Sequence, residues 1–176
     1  MDLTWDNSLN TGIVCFDEEH RTILKMLNVL RDMLRSNCRE EACDYASKVL
    51  IPYLIGHLRH EEEVLSTFGY PESKAHAKSH AIIEKLFRES LEAIDREGYS
   101  HMKHFQAIVI GWLFGHINKT DRKYGRFFQE MGLIEKLNTI EPLRPNTDML
   151  SAYLENRGSI RDSIQFESHH SKGVTS

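Results

Sequence analysis

The amino-acid sequence predicts an all-α protein, an antiparallel up-down-up-down four-helix bundle with a C-terminal extension. Three observations lead to this prediction. Apolar residues recur at the three- and four-residue spacing of amphipathic helices along four long stretches of the chain. Segments with the strict alternation of β-strands are almost absent from the sequence. The connections between the four stretches are short, and short connections place consecutive helices side by side in antiparallel order.

Local sequence signals mark where the helices should begin, bend and end. Asp17 is suited to cap the first helix, with Glu18 and Glu19 in its positively polarised first turn. Pro52 is expected to bend the second helix, because a proline inside a helix removes one backbone hydrogen bond. Gly98 is expected to end the third helix. The expected helices cover about 17–35, 41–67, 71–97 and 100–118, with a short further helix near 123–131.

The sequence divides into two parts of different character. We expect residues 1–135 to form the helical bundle and residues 136–176 to form a C-terminal tail, a partly helical linker or docking segment. Pro142 interrupts the tail, a short helix is expected over 149–156, and the polar stretch 168–176 is expected to be disordered. The tail is a possible attachment point for a signalling partner or effector domain.

Composition and charge limit the classes of function. A chain of 176 residues suits one domain with an appendage, and the net charge of -4 comes from interspersed acidic and basic residues. Such a surface predicts neither nucleic-acid binding nor attachment to a membrane. The opening residues do not resemble a signal peptide, so a cytoplasmic location is expected. The three cysteines, Cys15, Cys38 and Cys43, cannot all pair and are expected to be reduced thiols.

Five histidines and two carboxylates interrupt the apolar faces of the predicted helices. An unpaired imidazole or carboxylate on a buried face costs several kcal/mol, and metal coordination would relieve that cost. Each short motif alone is weak, because ten histidines in 176 residues produce an HxxxH pair by chance about half the time. A core histidine that is hydrogen-bonded to the backbone or to a tyrosine explains any single case, but the whole set favours a metal site. The candidate metal ligands are His20, His57, Glu61, His76, His80, His116 and Asp121.

The spacing of these residues has a geometric meaning. A separation of four residues places His57 above Glu61, and His76 above His80, on one side of a helix. Asp121 lies five residues beyond His116, a separation that turns it away from an ideal helical face. The helix is therefore expected to loosen or end there so that the carboxylate reaches the site.

Seven ligands exceed what one six-coordinate ion accepts, so two ions are expected. If both carboxylates and a solvent-derived oxygen bridge the ions, three histidines complete one ion while two histidines leave an open position on the other. Nitrogen and oxygen donors without thiolate suit iron or manganese better than a closed, four-coordinate structural zinc site. Iron is the preferred assignment, because an open position on a reduced di-iron pair is a place for dioxygen to bind.

The same residues give the chain a resemblance to a known family. It resembles the hemerythrins, and among them the bacterial hemerythrins, in Trp5 with Gly12-Ile13, in DEEH ending at His20, and in YLIGHLRHEEE, YPESKAHAKSH and WLFGHINKTDRKYG, together about residues 3–130. The resemblance implies a non-haem centre of two iron ions with an oxo or hydroxo bridge, which binds dioxygen reversibly at one iron.

The resemblance also implies a role for each ligand. His76, His80 and His116 would hold the saturated iron, and His20 and His57 would hold the open one. The two carboxylates, Glu61 and Asp121, would bridge both ions.

Apolar residues beside the ligands are expected to form a dioxygen pocket. The predicted wall around the open iron consists of Leu58, Trp112, Leu113 and Ile117. Ordinary core packing is the alternative explanation, compatible with the first. The chain has Leu58 where the family usually has phenylalanine, a change expected to widen the pocket and to speed autoxidation. It also has Glu19 where the family more often has glutamine, a change expected to leave the metal site unaffected.

Other polar residues near the ligands receive simpler interpretations. His60, Glu62 and Glu63 are expected on the solvent side of the second helix. Glu84, one turn past His80, is expected to be solvated rather than in contact with a ligand.

Three functions remain open at this point. Reversible dioxygen binding for storage, delivery or sensing leads, because five histidines and two carboxylates bring less negative charge than the four-carboxylate di-iron oxidases and so support high-valent iron less well. The protein is therefore not expected to be an enzyme, beyond a weak oxidase or peroxidase side activity. The alternatives are an oxygen or redox sensor module for a signalling effector domain, and iron sensing or storage, which the complete ligand set disfavours.

Overall fold

The computed structural model describes residues 3–36 and 38–146, apart from the side chain of Asp95. Within these ranges the chain is helical and contains no strand, so the all-α prediction is confirmed. The predicted helix over 149–156 and the polar stretch 168–176 lie outside the described residues. The α-helices are α1 Val14–Arg35, α2 Arg39–Tyr45, α3 Ile51–Thr67, α4 Ser73–Glu97, α5 Tyr99–His116, α6 Arg122–Glu130 and α7 Ile134–Leu137.

The four long helices form the predicted bundle. α1 packs against α3 and α5, and α4 packs against the same two helices, so the four helices close into a ring. Tight turns join consecutive helices. Gly69 and Gly98 occupy these turns with φ of 73° and 55°, backbone conformations that favour glycine over residues with a Cβ. None of the helices among the described residues is long and apolar enough to cross a membrane.

A helical irregularity precedes α3. Residues Ala46–Leu50 form a π-helical turn between α2 and α3, in which the amide of Ile51 donates to the carbonyl of Ala46. Pro52 follows in the first turn of α3. A wider turn relieves the clash between the proline ring and the carbonyl four residues earlier. The helical irregularity at Pro52 is therefore this π-helical turn.

The start of α1 differs from the prediction. The helix begins at Val14, and Asp17 is therefore already inside it rather than at its cap. Asp17 is buried and accepts hydrogen bonds from the Thr11 amide at 2.8 Å, the Thr11 hydroxyl at 2.9 Å and the Gly12 amide at 3.2 Å. The Asp17 carboxylate therefore binds the loop before α1 instead of capping the helix. The sequence pattern did not distinguish a capping aspartate from one that binds the preceding loop.

The core consists of two apolar clusters at different levels of the bundle. The large cluster fills most of its length, and the small cluster lies where α6 and α7 return to the start of α1. Leu27, Leu50, Phe87 and Phe105 belong to the large cluster, and Ile13, Phe16, Tyr70, Tyr124 and Phe128 belong to the small one. The candidate metal ligands fall between the two clusters along every long helix. A polar layer is thus enclosed by apolar packing on both sides.

The cysteines agree with the expectation of reduced thiols. Cys15 is buried, Cys38 and Cys43 are partly exposed, and all three are free. Burial raises the pKa of Cys15 to about 12, which keeps its thiol protonated and unreactive.

Gly125 permits the contact between α6 and the loop before α1, which yields a testable prediction. A Cβ atom at this position would lie 2.0 Å from the carbonyl oxygen of Thr11. Gly125→Ala should force the two backbone segments apart and lower the free energy of unfolding by about 3 kcal/mol, as overpacking does. Urea unfolding in the presence of a chelator measures this loss.

Gly111 provides the matched control for this substitution. It lies exposed inside α5, and a Cβ there would meet no atom within 4 Å. Gly111→Ala should stabilise the protein by about 0.5–1 kcal/mol, because alanine is the better helix former. Equal effects of the two substitutions would contradict the assigned close approach.

Candidate metal centre

The structure brings the seven predicted ligand side chains into one buried layer. Their relative exposures run from 0% for Glu61, His80 and Asp121 to 8% for His116. α1 supplies His20, and α3 supplies His57 and Glu61. α4 supplies His76 and His80, while His116 ends α5 and Asp121 follows it. Every long helix of the bundle therefore contributes to the layer.

The donor atoms form two groups that share one carboxylate. In the first group, the donor atoms of Glu61, His76, His80 and His116 lie within 4.8 Å of one another. Glu61 Oε2 is 3.4 Å from His76 Nε2 and 3.3 Å from His80 Nε2, and the Nε2 atoms of His80 and His116 are 2.9 Å apart. The second group consists of Glu61, His20 and Asp121.

Asp121 also lies between the two groups. Its Oδ1 is 3.0 Å from His116 Nε2 and 3.8 Å from His76 Nε2, and its Oδ2 is 3.7 Å from His20 Nε2. Each carboxylate therefore faces histidines from both sides of the layer. This is the position that a bridging carboxylate requires.

His57 stands slightly apart from both groups. Its ring lies edge-on to the His20 ring, with centroids 4.8 Å apart, so the two imidazoles border the same side of the layer. Its Nδ1 lies 2.7 Å from Glu19 Oε2, which leaves Nε2 as the nitrogen available to an ion.

A second π-helical turn places Asp121 in the site. Residues Ile117–Asp121 form this turn, and the amide of Arg122 donates to the carbonyl of Ile117, five residues earlier. The wider turn brings residues five apart onto one face, so Asp121 lies beneath His116. The expected loosening of the helix after His116 is thus present in the structure, at a place where π turns often accompany functional sites.

The electrostatics of the layer suit a cation. Burial lowers the pKa of His20 and of His80 to about 3, so both imidazoles are neutral, the form that binds a metal. Burial and the charge of Glu61 raise the pKa of Asp121. Among the described residues, neither carboxylate oxygen of Asp121 has a hydrogen-bond donor, and His20 Nδ1 and His76 Nδ1 are also without a partner.

These observations test whether a metal fits the layer. Two buried carboxylates close to each other, one of them without hydrogen bonds, are costly unless a positive charge compensates them. The donors are imidazole nitrogens and carboxylate oxygens, a set suited to iron and manganese. The residues present therefore fit a metal centre.

Comparison with known proteins identifies the family. Residues 11–128 match the family profile described as hemerythrin HHE cation binding domain. The chain belongs to the hemerythrin family. It is 30% identical over 125 residues to a bacteriohemerythrin of Pseudomonas paraeruginosa, an alignment that covers 69% of this chain and 78% of the relative. It is also 30% identical over 122 residues to a bacteriohemerythrin of Stenotrophomonas maltophilia.

A solved structure agrees with this assignment. The crystal structure of a wild-type hemerythrin superposes with a TM-score of 0.62 at 26% sequence identity, covering 70% of this chain and 95% of the other. The predicted membership in the bacterial hemerythrins is thus confirmed, and so is the helical-bundle fold.

Outer contacts of this hemerythrin-family site correct two expectations from the sequence and add one contact that it did not predict. Glu19 is completely buried and hydrogen-bonded to His57, so it adjoins the candidate metal site. His60 is only 21% exposed, and its Nδ1 lies 2.7 Å from the other oxygen of Glu19. Glu62 lies 3.0 Å from His80 Nδ1 and is also not a purely solvent-facing residue.

The remaining expectations for this region agree with the structure. Glu63 is exposed, and Glu84 pairs with Arg59 and Arg88 instead of His80, although these pairs leave its side chain only 21% exposed. The burial of Glu19 had a signal in the sequence: it lies four residues before Ile23, a member of the apolar face of α1.

Three of the four predicted pocket residues are fully enclosed. Leu58, Leu113 and Ile117 are 0–1% exposed and belong to the large apolar cluster beside the ligands. The fourth, Trp112, lies elsewhere than predicted. Its indole stacks on His116 at a centroid distance of 4.5 Å and meets His80 edge-on, so it borders the three-histidine side.

A different tryptophan covers the two-histidine side. Trp5 stacks on His20 with centroids 6.0 Å apart and an interplanar angle of 20°, and the Arg21 guanidinium lies 5.0 Å from the centroid of the Trp5 ring. Because Trp5 precedes the first long helix, no helical periodicity could place it. Only the resemblance to the family marked it.

Tyr124 adds a hydrogen bond that the sequence did not predict, and this bond yields a testable prediction. Its hydroxyl, fully buried in α6, donates to Glu61 Oε1. Tyr124→Phe leaves that oxygen without its donor, so the metal-free protein should lose about 1.5–3 kcal/mol of unfolding free energy, typical of a bond to a charged group. Urea unfolding in chelator measures the change.

Tyr45 serves as the control for this prediction. Its buried hydroxyl donates to a neutral acceptor, the carbonyl of Met26, at 3.3 Å. Tyr45→Phe should therefore cost about 1 kcal/mol or less. A loss for Tyr124→Phe no larger than for Tyr45→Phe would argue against a charged Glu61 as the acceptor.

Proposed function

We propose that this protein binds dioxygen reversibly at a non-haem di-iron centre and serves oxygen storage, delivery or sensing. The observation that carries the proposal is the buried layer in which two carboxylates each face histidines on both sides. Membership in the hemerythrin family supports it.

The ligands divide into two sets in this proposal. His76, His80 and His116, whose donor atoms converge on Glu61, hold one ion. His20 and His57 hold the other. The carboxylates of Glu61 and Asp121 would serve both ions. The unequal number of histidines would leave the open position on the side of His20 and His57.

Reduced iron in this layer would supply the electrons on which reversible binding of dioxygen depends. The protein supplies imidazole nitrogens, two carboxylates and an enclosure of buried side chains around them. Leu58, Leu113 and Ile117 form the apolar part of that enclosure. Tyr124 fixes Glu61 through its hydroxyl, and Trp5 covers the ring of His20.

The donor set favours binding over oxidation. Five histidines and two carboxylates bring less negative charge than the four-carboxylate sites of di-iron oxidases, so they support high-valent iron less well. A sensor role for a signalling effector is the second candidate. It is favoured by one observation, the contact between Glu19 and the backbone of Leu143 in the C-terminal segment.

The proposal predicts a reversible spectral change. The anaerobically reduced, iron-loaded protein should develop a visible absorption band in air, and the band should fade when argon removes the oxygen. Several cycles without loss of amplitude would support reversible binding. Irreversible bleaching that consumes an added reductant would contradict it and favour an oxidase.

The ligand assignment predicts a change in iron content. The purified protein should hold about two iron ions per chain. His57→Ala removes one of only two histidines on its side of the layer, so iron content should fall to about one per chain. Metal analysis with protein quantification measures the ratio.

An exposed histidine of α5 provides the control for this substitution. His104 lies on the surface, where its Nδ1 is 3.3 Å from the carbonyl oxygen of Ser100 in the same helix. His104→Ala should keep about two iron ions per chain. An unchanged iron content in His57→Ala would refute the assignment of that ligand.

A further inference from the structure

The end of the described chain returns to the metal-site layer. We call residues 138–146 the C-terminal strap. At its start, the Asn138 side chain accepts a hydrogen bond from the Val14 amide at 3.0 Å and so caps α1. The strap then crosses to α3, where the Tyr53 hydroxyl donates to the Leu143 carbonyl at 3.0 Å.

The strap approaches α3 closely at one position. Gly56 lies beneath the Leu143 side chain, and a Cβ atom there would be 3.0 Å from Leu143 Cδ2. The absence of a side chain at Gly56 gives the strap its place on the helix. Gly56 immediately precedes His57, so the strap covers the helix where a proposed ligand arises.

The Leu143 amide reaches a buried carboxylate. It donates to Glu19 Oε1 at 2.8 Å. Glu19 has three donors in all, because His60 Nδ1 lies 2.7 Å from the same oxygen and His57 Nδ1 lies 2.7 Å from Oε2. A carboxylate without exposed surface needs such donors. Among the described residues, two of the three donors to Glu19 are histidine nitrogens, and the third is the Leu143 amide of the strap.

The contacts form a continuous path from the strap to a proposed ligand. The path runs from the Leu143 amide through the Glu19 carboxylate to His57 Nδ1. A carboxylate that accepts from one imidazole nitrogen fixes the ring orientation and keeps the opposite nitrogen free for a metal. Glu19 is therefore a positioning residue, since it acts on the metal side through His57.

We infer that the C-terminal strap sets the affinity of the two-histidine metal position, because its Leu143 amide holds the Glu19 carboxylate that contacts His57. The inference rests on the proposed function, which assigns His57 to that position. The three-histidine position has no contact with the strap through Glu19, so its affinity should not depend on the strap.

The full-length, metal-free protein titrated with cobalt(II) in a calorimeter tests this inference. Leu143→Pro removes the amide hydrogen that binds Glu19, in a segment without regular secondary structure. Leu143→Ala is the matched control, because it keeps the amide and removes only the side-chain contact with Gly56. Leu143→Pro should weaken the second cobalt ion about 10–100-fold, the usual effect of losing an outer partner of a ligand. The first ion should bind as in the wild type, and Leu143→Ala should retain both affinities within about threefold.

A second variant provides independent evidence. Tyr53→Phe removes the hydroxyl that holds the Leu143 carbonyl, leaves the amide in place, and should weaken the second ion by a smaller factor in the same direction. It decides the question if Leu143→Pro does not fold. Imidazole nitrogen NMR of the zinc-loaded proteins adds a signature that global damage would not give, a selective shift of the His57 Nδ1 resonance in both variants.

The possible outcomes separate this inference from the proposed function. Two cobalt ions bound with wild-type affinities in Leu143→Pro and Tyr53→Phe would overturn the strap inference alone. Equal weakening of both ions would also overturn it, because the effect would then not be selective. A wild-type protein that binds two cobalt ions but gives no reversible oxygen spectrum when loaded with iron would refute the proposed function and leave the strap effect standing.

Discussion

The structure depends on one constraint, the burial of two carboxylates in an apolar bundle. Glu61 and Asp121 are both without solvent exposure and lie among the same histidines. Buried like charges repel each other and lose their hydration, which is costly unless hydrogen bonds or a cation compensate them. Tyr124 compensates Glu61 in part, whereas Asp121 accepts no hydrogen bond from the part of the chain that the structure describes. The buried charge of these two carboxylates is therefore only partly compensated by hydrogen bonds. A bound cation would compensate the rest, which explains why the core contains this layer.

The surrounding architecture serves that layer. The large and small apolar clusters enclose it from both sides and limit the access of water. A regular α-helix would turn Asp121 away from His116, and the π-helical turn corrects this at the point where the carboxylate is needed. Near Pro52 a second π-helical turn has a different cause, since there the wider turn accommodates a proline.

Outer carboxylates distinguish the histidines from one another. Glu19 and Glu62 contact the Nδ1 atoms of His57 and His80, while His20 and His76 have no partner for Nδ1 among the described residues. His57 and His80 are thus held by outer carboxylates, whereas packing orients the rings of His20 and His76 on their outer side. Trp5 contributes to that packing on His20. His57 and His80 are therefore the proposed ligands that residues outside the layer contact directly. Of their two outer carboxylates, Glu19 also contacts the C-terminal strap in the described structure.

The sequence by itself determined the helical class, the order of the helices, the family and the set of side chains that meet in the layer. It could do so because helical periodicity is local and because each candidate ligand except Asp121 lies on a face whose direction follows from spacing along one helix. Tertiary structure alone decided the contacts that join residues far apart in sequence or outside regular helices. Glu19 meets Leu143, Trp5 meets His20, and Trp112 stacks on the three-histidine side. No periodicity encodes these pairs, because they arise only when four helices and an irregular segment pack around a common centre.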